Sequence, residues 1–115
     1  MDRADAFLPL RPVAFAVLAA LADQPRPGIE VLEHVNTTVS RRPILGPGTL
    51  YRLMRELRQT GLITRTPPRA DRGPVDERQA HHELTPLGRA VFKAEVERLT
   101  RTMALARRAV RTAER

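Results

Sequence analysis

The 115-residue chain carries 20 basic against 13 acidic residues, a net charge of +7, and contains no cysteine and no tryptophan. This length holds one domain with a modest core, and the missing thiols exclude a disulfide framework and cysteine chemistry. The longest apolar run, Val13 to Ala22, is too short to span a membrane, and Met1-Asp2-Arg3-Ala4-Asp5 lacks the basic-then-apolar layout of a secretory signal, so a cytoplasmic protein with no membrane partner is expected.

Residues 1–9 read as a mobile arm or a helix lead-in. Pro12 to Ala22 is apolar nearly throughout and predicts a buried first helix, stopped by Asp23-Gln24-Pro25. A second helix is expected from Gly28 to Thr37 with Ile29, Val31, Leu32 and Val35 as its apolar set, and Asn36-Thr37-Thr38 loosens its end. Ser40-Arg41-Arg42-Pro43 is a basic turn.

Pro47 to Gln59 predicts a third helix with two different faces. Pro47 suits the first helical position, and Gly61 can close the helix in a left-handed conformation. Leu50, Leu53, Met54 and Leu57 form one apolar stripe, while Gly48, Arg52, Arg55 and Gln59 lie opposite. An Arg/Gln face on a helix held down by leucines suits a DNA major groove, because Arg offers paired donors to guanine and Gln pairs with adenine. A solvated charged face on an ordinary surface helix would show the same pattern. Leu62 to Thr66 reads as a short strand ended by Pro67-Pro68. Residues 67–79 have loop chemistry, and Gln79 to Leu84 reads as the returning strand. Thr85-Pro86 provides an N-cap followed by a first-turn proline, opening a last helix to about Ala113.

The charge is unevenly placed. Residues 1–40 carry a net −2, residues 41–78 a net +5 and residues 79–115 a net +4. The segment around the third helix is therefore the electropositive one, which suits a polyanion partner.

Three helices, a strand, a loop, a strand and a final helix make a winged helix-turn-helix. The expected fold is mainly α with a small β-wing: a DNA-binding domain with an N-terminal arm over residues 1–85, and a C-terminal dimerisation helix over 86–115 in the same compact unit. In this layout the third helix enters the major groove and the loop between the strands touches backbone or minor groove. Arg52, Arg55 and Gln59 are placed to reach base edges, Thr49 and Tyr51 to hold phosphates, and Gly48 to offer backbone N–H groups at the helix start. Arg41 and Arg42 are candidate phosphate clamps, and Arg69, Arg72 and Arg78 are the wing's candidate contacts.

The run Pro47-Gly48-Thr49-Leu50-Tyr51, then Leu53, Leu57 and Gly61-Leu62-Ile63, resembles the PadR family of bacterial transcriptional regulators. Leu84-Thr85-Pro86-Leu87-Gly88-Arg89 is similar to that family's step out of the wing. Val17-Leu18-Ala19-Ala20-Leu21 and Gly28-Ile29-Glu30-Val31 match its first two helices, so the resemblance covers roughly residues 10–95. It implies a dimeric DNA-binding repressor of the short branch with one C-terminal helix; some family members also bind planar or phenolic effectors near the dimer interface. The chain departs from the family at Arg52, where proline is common, at Pro27-Gly28-Ile29-Glu30 in place of His-Gly-Tyr-Glu, and at His81 and His82, where paired aromatics are usual.

Phe92, Val96, Leu99, Met103, Ala106 and Val110 recur at spacings of 4, 3, 4, 3 and 4, which is a heptad seam. An antiparallel or crossed pairing of two such helices would build a two-fold homodimer, and a helix packing on its own domain is the plainer alternative. Beyond these, little chemistry is on offer. His81 and His82 are adjacent on a strand and point to opposite faces, and no phosphate loop or nucleophile–base pair is present, so neither a metal, a cofactor nor an enzyme is expected. A winged-helix module that binds protein in place of DNA remains the alternative function, against which Arg52, Arg55 and Arg58 argue.

Overall fold

The computed structural model describes residues 3–38, 45–66 and 77–114. Its elements are a 3₁₀ turn Arg3–Phe7, α1 Pro12–Leu21, β1 Arg26–Pro27, α2 Gly28–Thr38, α3 Pro47–Gln59, β2 Ile63–Arg65, β3 His81–Leu84 and α4 Pro86–Ala113. All three strands are antiparallel in the order β1-β3-β2. Ile63 faces Leu84 and Arg65 faces His82 across the hairpin, and Arg26 faces His82 on the other edge. The winged helix-turn-helix layout expected from the sequence is the one observed.

The core is built where apolar residues converge. Val17, Leu18 and Leu21 of α1, Val31 and Val35 of α2, and Leu50, Met54 and Leu57 of α3 are buried together with Leu62, Ile63, Leu84 and Val91. α1 is apolar nearly all round because it lies at the centre of this cluster. Leu53 and Leu32 are half-buried at its margin. Ile29, expected in the apolar set of α2, is instead 45% exposed, because α2 turns Val31 and Val35 inward and Ile29 falls off that face.

Three local features differ from the sequence reading. Residues 3–10 are not a loose arm. Ala4 is buried, Phe7, Leu8 and Leu10 pack on the core, and the Leu10 N–H donates to Glu95 Oε2 at 2.7 Å. Asn36 does not loosen the end of α2. It donates to the Leu45 carbonyl and accepts from the Leu45 N–H, both at 3.1 Å, tying the last turn of α2 to the residues just before α3. The third strand, β1, is only two residues long and includes a proline, which an edge strand tolerates. Arg26 fixes it in place by donating from Nε to the Ala20 carbonyl at 2.7 Å at the end of α1.

The ends of α3 and α4 meet at one joint. Gly61 adopts φ +84°, a left-handed conformation open to glycine, and the Leu62 N–H returns to the Leu57 carbonyl at 2.9 Å. Thr85 caps α4 by accepting from the Gly88 N–H at 2.9 Å, and its hydroxyl donates back to the Gly61 carbonyl. The Thr85 N–H donates to the Leu62 carbonyl at 3.1 Å. A Cβ on Gly88 would stand 1.9 Å from that same carbonyl, so α4 can come this close only without a side chain there.

Glu95 is the buried acid of the fold, 1% exposed, and it also binds Arg98. Its carboxyl lies below the ordinary carboxylate value, chiefly because the Arg98 guanidinium donates to it, with burial opposing and the Leu10 N–H assisting. A lowered folded-state pKa stabilises the fold above the ordinary carboxylate range, and that contribution is lost as pH falls through the folded-state value.

Two predictions follow from this packing. Gly88→Ala should destabilise the fold by about 2 kcal/mol or more in urea unfolding, since the added methyl meets a backbone carbonyl; an unchanged midpoint would contradict the joint. Glu95→Gln should be less stable than wild type at pH 7, with the gap closing as pH drops below the carboxylate range. A gap independent of pH would show that the charge of Glu95 contributes nothing.

Candidate nucleic-acid interface

The third helix separates its two faces as its sequence dictates. With Leu50, Met54 and Leu57 buried, Gly48, Thr49, Arg52, Arg55 and Gln59 are all exposed. Gly48, Arg52, Arg55 and Gln59 form one row at spacings of 4, 3 and 4, the neighbour spacing of a helix surface. Among the described residues no ion pair engages Arg52 or Arg55. Gly46 stands at the N-cap without a side-chain cap, so the N–H groups of the first turn have no capping acceptor. An uncapped helix start beside two unpaired guanidinium groups is a place where an anionic backbone can bind.

The wing root borders the same face. Gly48, Tyr51, Arg52, Arg55, Glu77 and Arg78 line one open hollow. Arg78 is exposed, and its backbone carbonyl accepts from the Ile29 N–H at 3.0 Å, anchoring the wing root to the start of α2. Tyr51 departs from the role expected of it. Its ring packs on the core and its hydroxyl oxygen is buried without a partner, so it does not present that hydroxyl to a phosphate in the free chain. Arg41, Arg42, Arg69 and Arg72 lie outside the described residues.

Sequence reasoning missed a charge cluster beside this face. Glu77 accepts from both terminal nitrogens of Arg58 and from Arg65 Nη2, the latter at 2.9 Å. His82 is fully buried beneath them, with Nε2 at 3.4 Å from Glu77 Oε2 and 3.2 Å from Arg58 Nη1. Burial pushes the Glu77 carboxyl up, yet Arg58 and Arg65 outweigh it and hold the group below its ordinary value. Burial pulls His82 down; Glu77 opposes this and the arginines add to it, which leaves the ring neutral at pH 7. With the ring neutral, Nε2 can accept from Arg58 Nη1, which lies 3.2 Å away. Arg58 and Glu77 are separated by 19 residues, so no local pattern announced the pair.

The heptad seam of α4 divides into two parts. Phe92 belongs to the chain's own core margin, where its ring stacks on Phe15 at 5.3 Å between centroids and 23° between planes. Leu99 is half-buried, while Val96, Met103, Ala106 and Val110 are exposed, Met103 at 50% and Val110 at 54%. Every residue from 101 to 114 is exposed, so the outer half of α4 is not covered by the described residues. Among the described residues no helix is long and apolar enough to cross a membrane.

Comparison with known proteins agrees with this geometry. Residues 17–94 match the model of the transcriptional regulator PadR-like family. A PadR family transcription regulator from Clostridium difficile superposes with TM-score 0.70 at 15% identity, covering 87% of this chain and 99% of that one. A PadR-like transcriptional regulator from Bacillus cereus gives 0.69 at 14% identity, covering 85% and 90%. A ZitR mutant from Lactococcus lactis gives 0.66 at 18% identity, covering 95% and 66%. At such identities these structures are similar in fold alone. No curated protein sequence matches the chain. With its matched span running from the first helix through the wing and into α4, this chain belongs to the PadR-like family of transcriptional regulators.

Proposed function

We propose that the protein is a sequence-specific DNA-binding repressor that works as a homodimer on a pseudo-palindromic operator. The observation that carries the DNA reading is the pair Arg52 and Arg55. Both are exposed, and neither is ion-paired among the described residues, on a helix whose other face is locked into the core by Leu50, Met54 and Leu57. In a major groove such arginines donate in pairs to guanine O6 and N7, and Gln59 can address an adenine. Gly48 and Thr49, at the helix start, would meet phosphates, and Arg78 would meet backbone at the wing root. Arg41, Arg42, Arg69 and Arg72 extend the same proposal into the turn and the wing. Metal binding and catalysis have no part in it.

The dimer reading is supported by the outer half of α4. Helices in proteins are held mainly by tertiary packing, and the described residues leave this segment exposed. Its exposed Val96, Met103 and Val110 continue a seam that begins in the core at Phe92. An apolar groove beside Phe15, lined by Val96, Leu99, Met103 and Arg107, is where a partner helix would lie. The same groove is where a small apolar effector would compete with that helix. A two-fold dimer places its recognition helices on half-sites about one helical turn apart, roughly 10 bp. Repression follows when such an operator overlaps a promoter.

Two outcomes are expected. On a duplex recovered by selection from genomic fragments, Arg55→Ala should weaken binding by about 1–3 kcal/mol and relax the preference at one position of each half-site. Wild-type affinity in the variant would remove α3 from the groove. In light scattering at micromolar concentration the wild type should be a dimer and Met103→Glu a monomer; a monomeric wild type would overturn the dimer.

A further inference from the structure

The cluster around Glu77 has no part in the contacts proposed above, yet it sits at their edge. Glu77 is held at three places. Its carboxylate binds Arg58 on the last turn of α3 and Arg65 at the end of β2. Its backbone carbonyl lies against the start of α2, where a Cβ on Gly28 would stand 2.1 Å away. The next carbonyl, that of Arg78, accepts from the Ile29 N–H. One residue thus ties the returning leg of the wing to both helices of the helix-turn-helix.

The pairing is more than a surface ion pair. The Glu77 and Arg58 side chains are only 14% and 19% exposed, and both terminal nitrogens of Arg58 engage the two carboxylate oxygens. Such forked, partly buried pairs are geometrically specific. Their consequence is a division of the arginines on one surface. Among the described residues Arg52 and Arg55 have no ion pair, whereas Arg58 and Arg65 share the carboxylate of Glu77, a residue that also lines the hollow beside Arg52 and Arg55.

We infer that Glu77 is a positioning residue for DNA recognition: it fixes the wing root to the recognition helix and withholds Arg58 and Arg65 from the phosphate backbone. Recognition then rests on Arg52 and Arg55, and non-specific attraction is kept low by a carboxylate at the groove's edge, an element that discriminates by repulsion. This inference rests on the DNA-binding reading.

The test uses the full chain and two duplexes, one of arbitrary sequence and one enriched by the wild type from a random library, each titrated across a range of salt. Glu77→Gln should bind the arbitrary duplex several-fold more tightly, with a log affinity against log salt slope steeper by about 1–2, because two guanidinium groups are released to phosphates. The ratio of enriched to arbitrary affinity should fall about tenfold. Glu77→Asp, which keeps the charge, should restore most of that ratio. Arg58→Gln should lower the ratio while leaving arbitrary-duplex affinity and its slope unchanged. Glu77→Gln affinities that rise together would show charge alone and overturn the positioning role. If Glu77→Gln loses its thermal transition, Arg58→Gln decides: weaker arbitrary-duplex binding with a shallower slope overturns the inference, and a lower ratio at constant slope supports it. A wild type that binds neither duplex overturns the DNA reading and this one with it; a wild type that binds, with variants of unaltered ratio, overturns only the role of Glu77.

Discussion

The fold depends on the joint where the end of α3 meets the start of α4. The Leu62 carbonyl receives the Thr85 N–H and lies so close to Gly88 that no side chain fits between them. Thr85 caps α4 and reaches back to Gly61, whose left-handed turn ends α3. The two ends of the β2–β3 hairpin are thereby closed at one point. The recognition helix, the wing and the long helix inherit their relative directions from it. A shift of this joint would move the arginine face of α3 relative to the wing and, in the proposed dimer, relative to the second half-site.

Around that joint, charge is allocated unequally. The basic middle segment supplies nine arginines, and those on one surface have two different fates. Arg52 and Arg55 have no ion pair among the described residues, while Arg58 and Arg65 are bound to Glu77 above a buried His82. A protein whose arginines were all free would bind any duplex through its phosphates. In the reading proposed above, holding some of them against a carboxylate leaves recognition to Arg52 and Arg55. On α4, Glu95 binds Arg98 and the Leu10 N–H, which fastens the N-terminal segment onto that helix.

Much of this was legible in the chain because the signals are local. Pro47 and Gly61 bound α3, its leucine stripe declares which face is buried, and Thr85-Pro86 opens α4, all as found. The opposite faces of His81 and His82 followed from strand alternation; which of them is buried did not, and the structure buries His82. What was not legible depends on distant partners. β1 is two residues that become a strand only because β3 arrives beside them. Asn36 looked like a helix breaker and proves to be a clamp because Leu45 folds back to it. Tyr51 sits on the flank of α3, where spacing alone could not decide between groove and core; its buried hydroxyl places it with the core in the free chain. The Glu77 cluster joins residues from α3, β2 and β3, and no window of sequence contains it.

The central claim is that two copies of α3 read two adjacent major grooves through Arg52 and Arg55. Guanine-N7 methylation interference on the enriched duplex tests it most directly, because the methyl group occupies the acceptor these arginines would use. The account predicts interference at guanines in two symmetric clusters whose centres lie about 10 bp apart. Interference confined to a single cluster, or binding indifferent to N7 methylation, would contradict it.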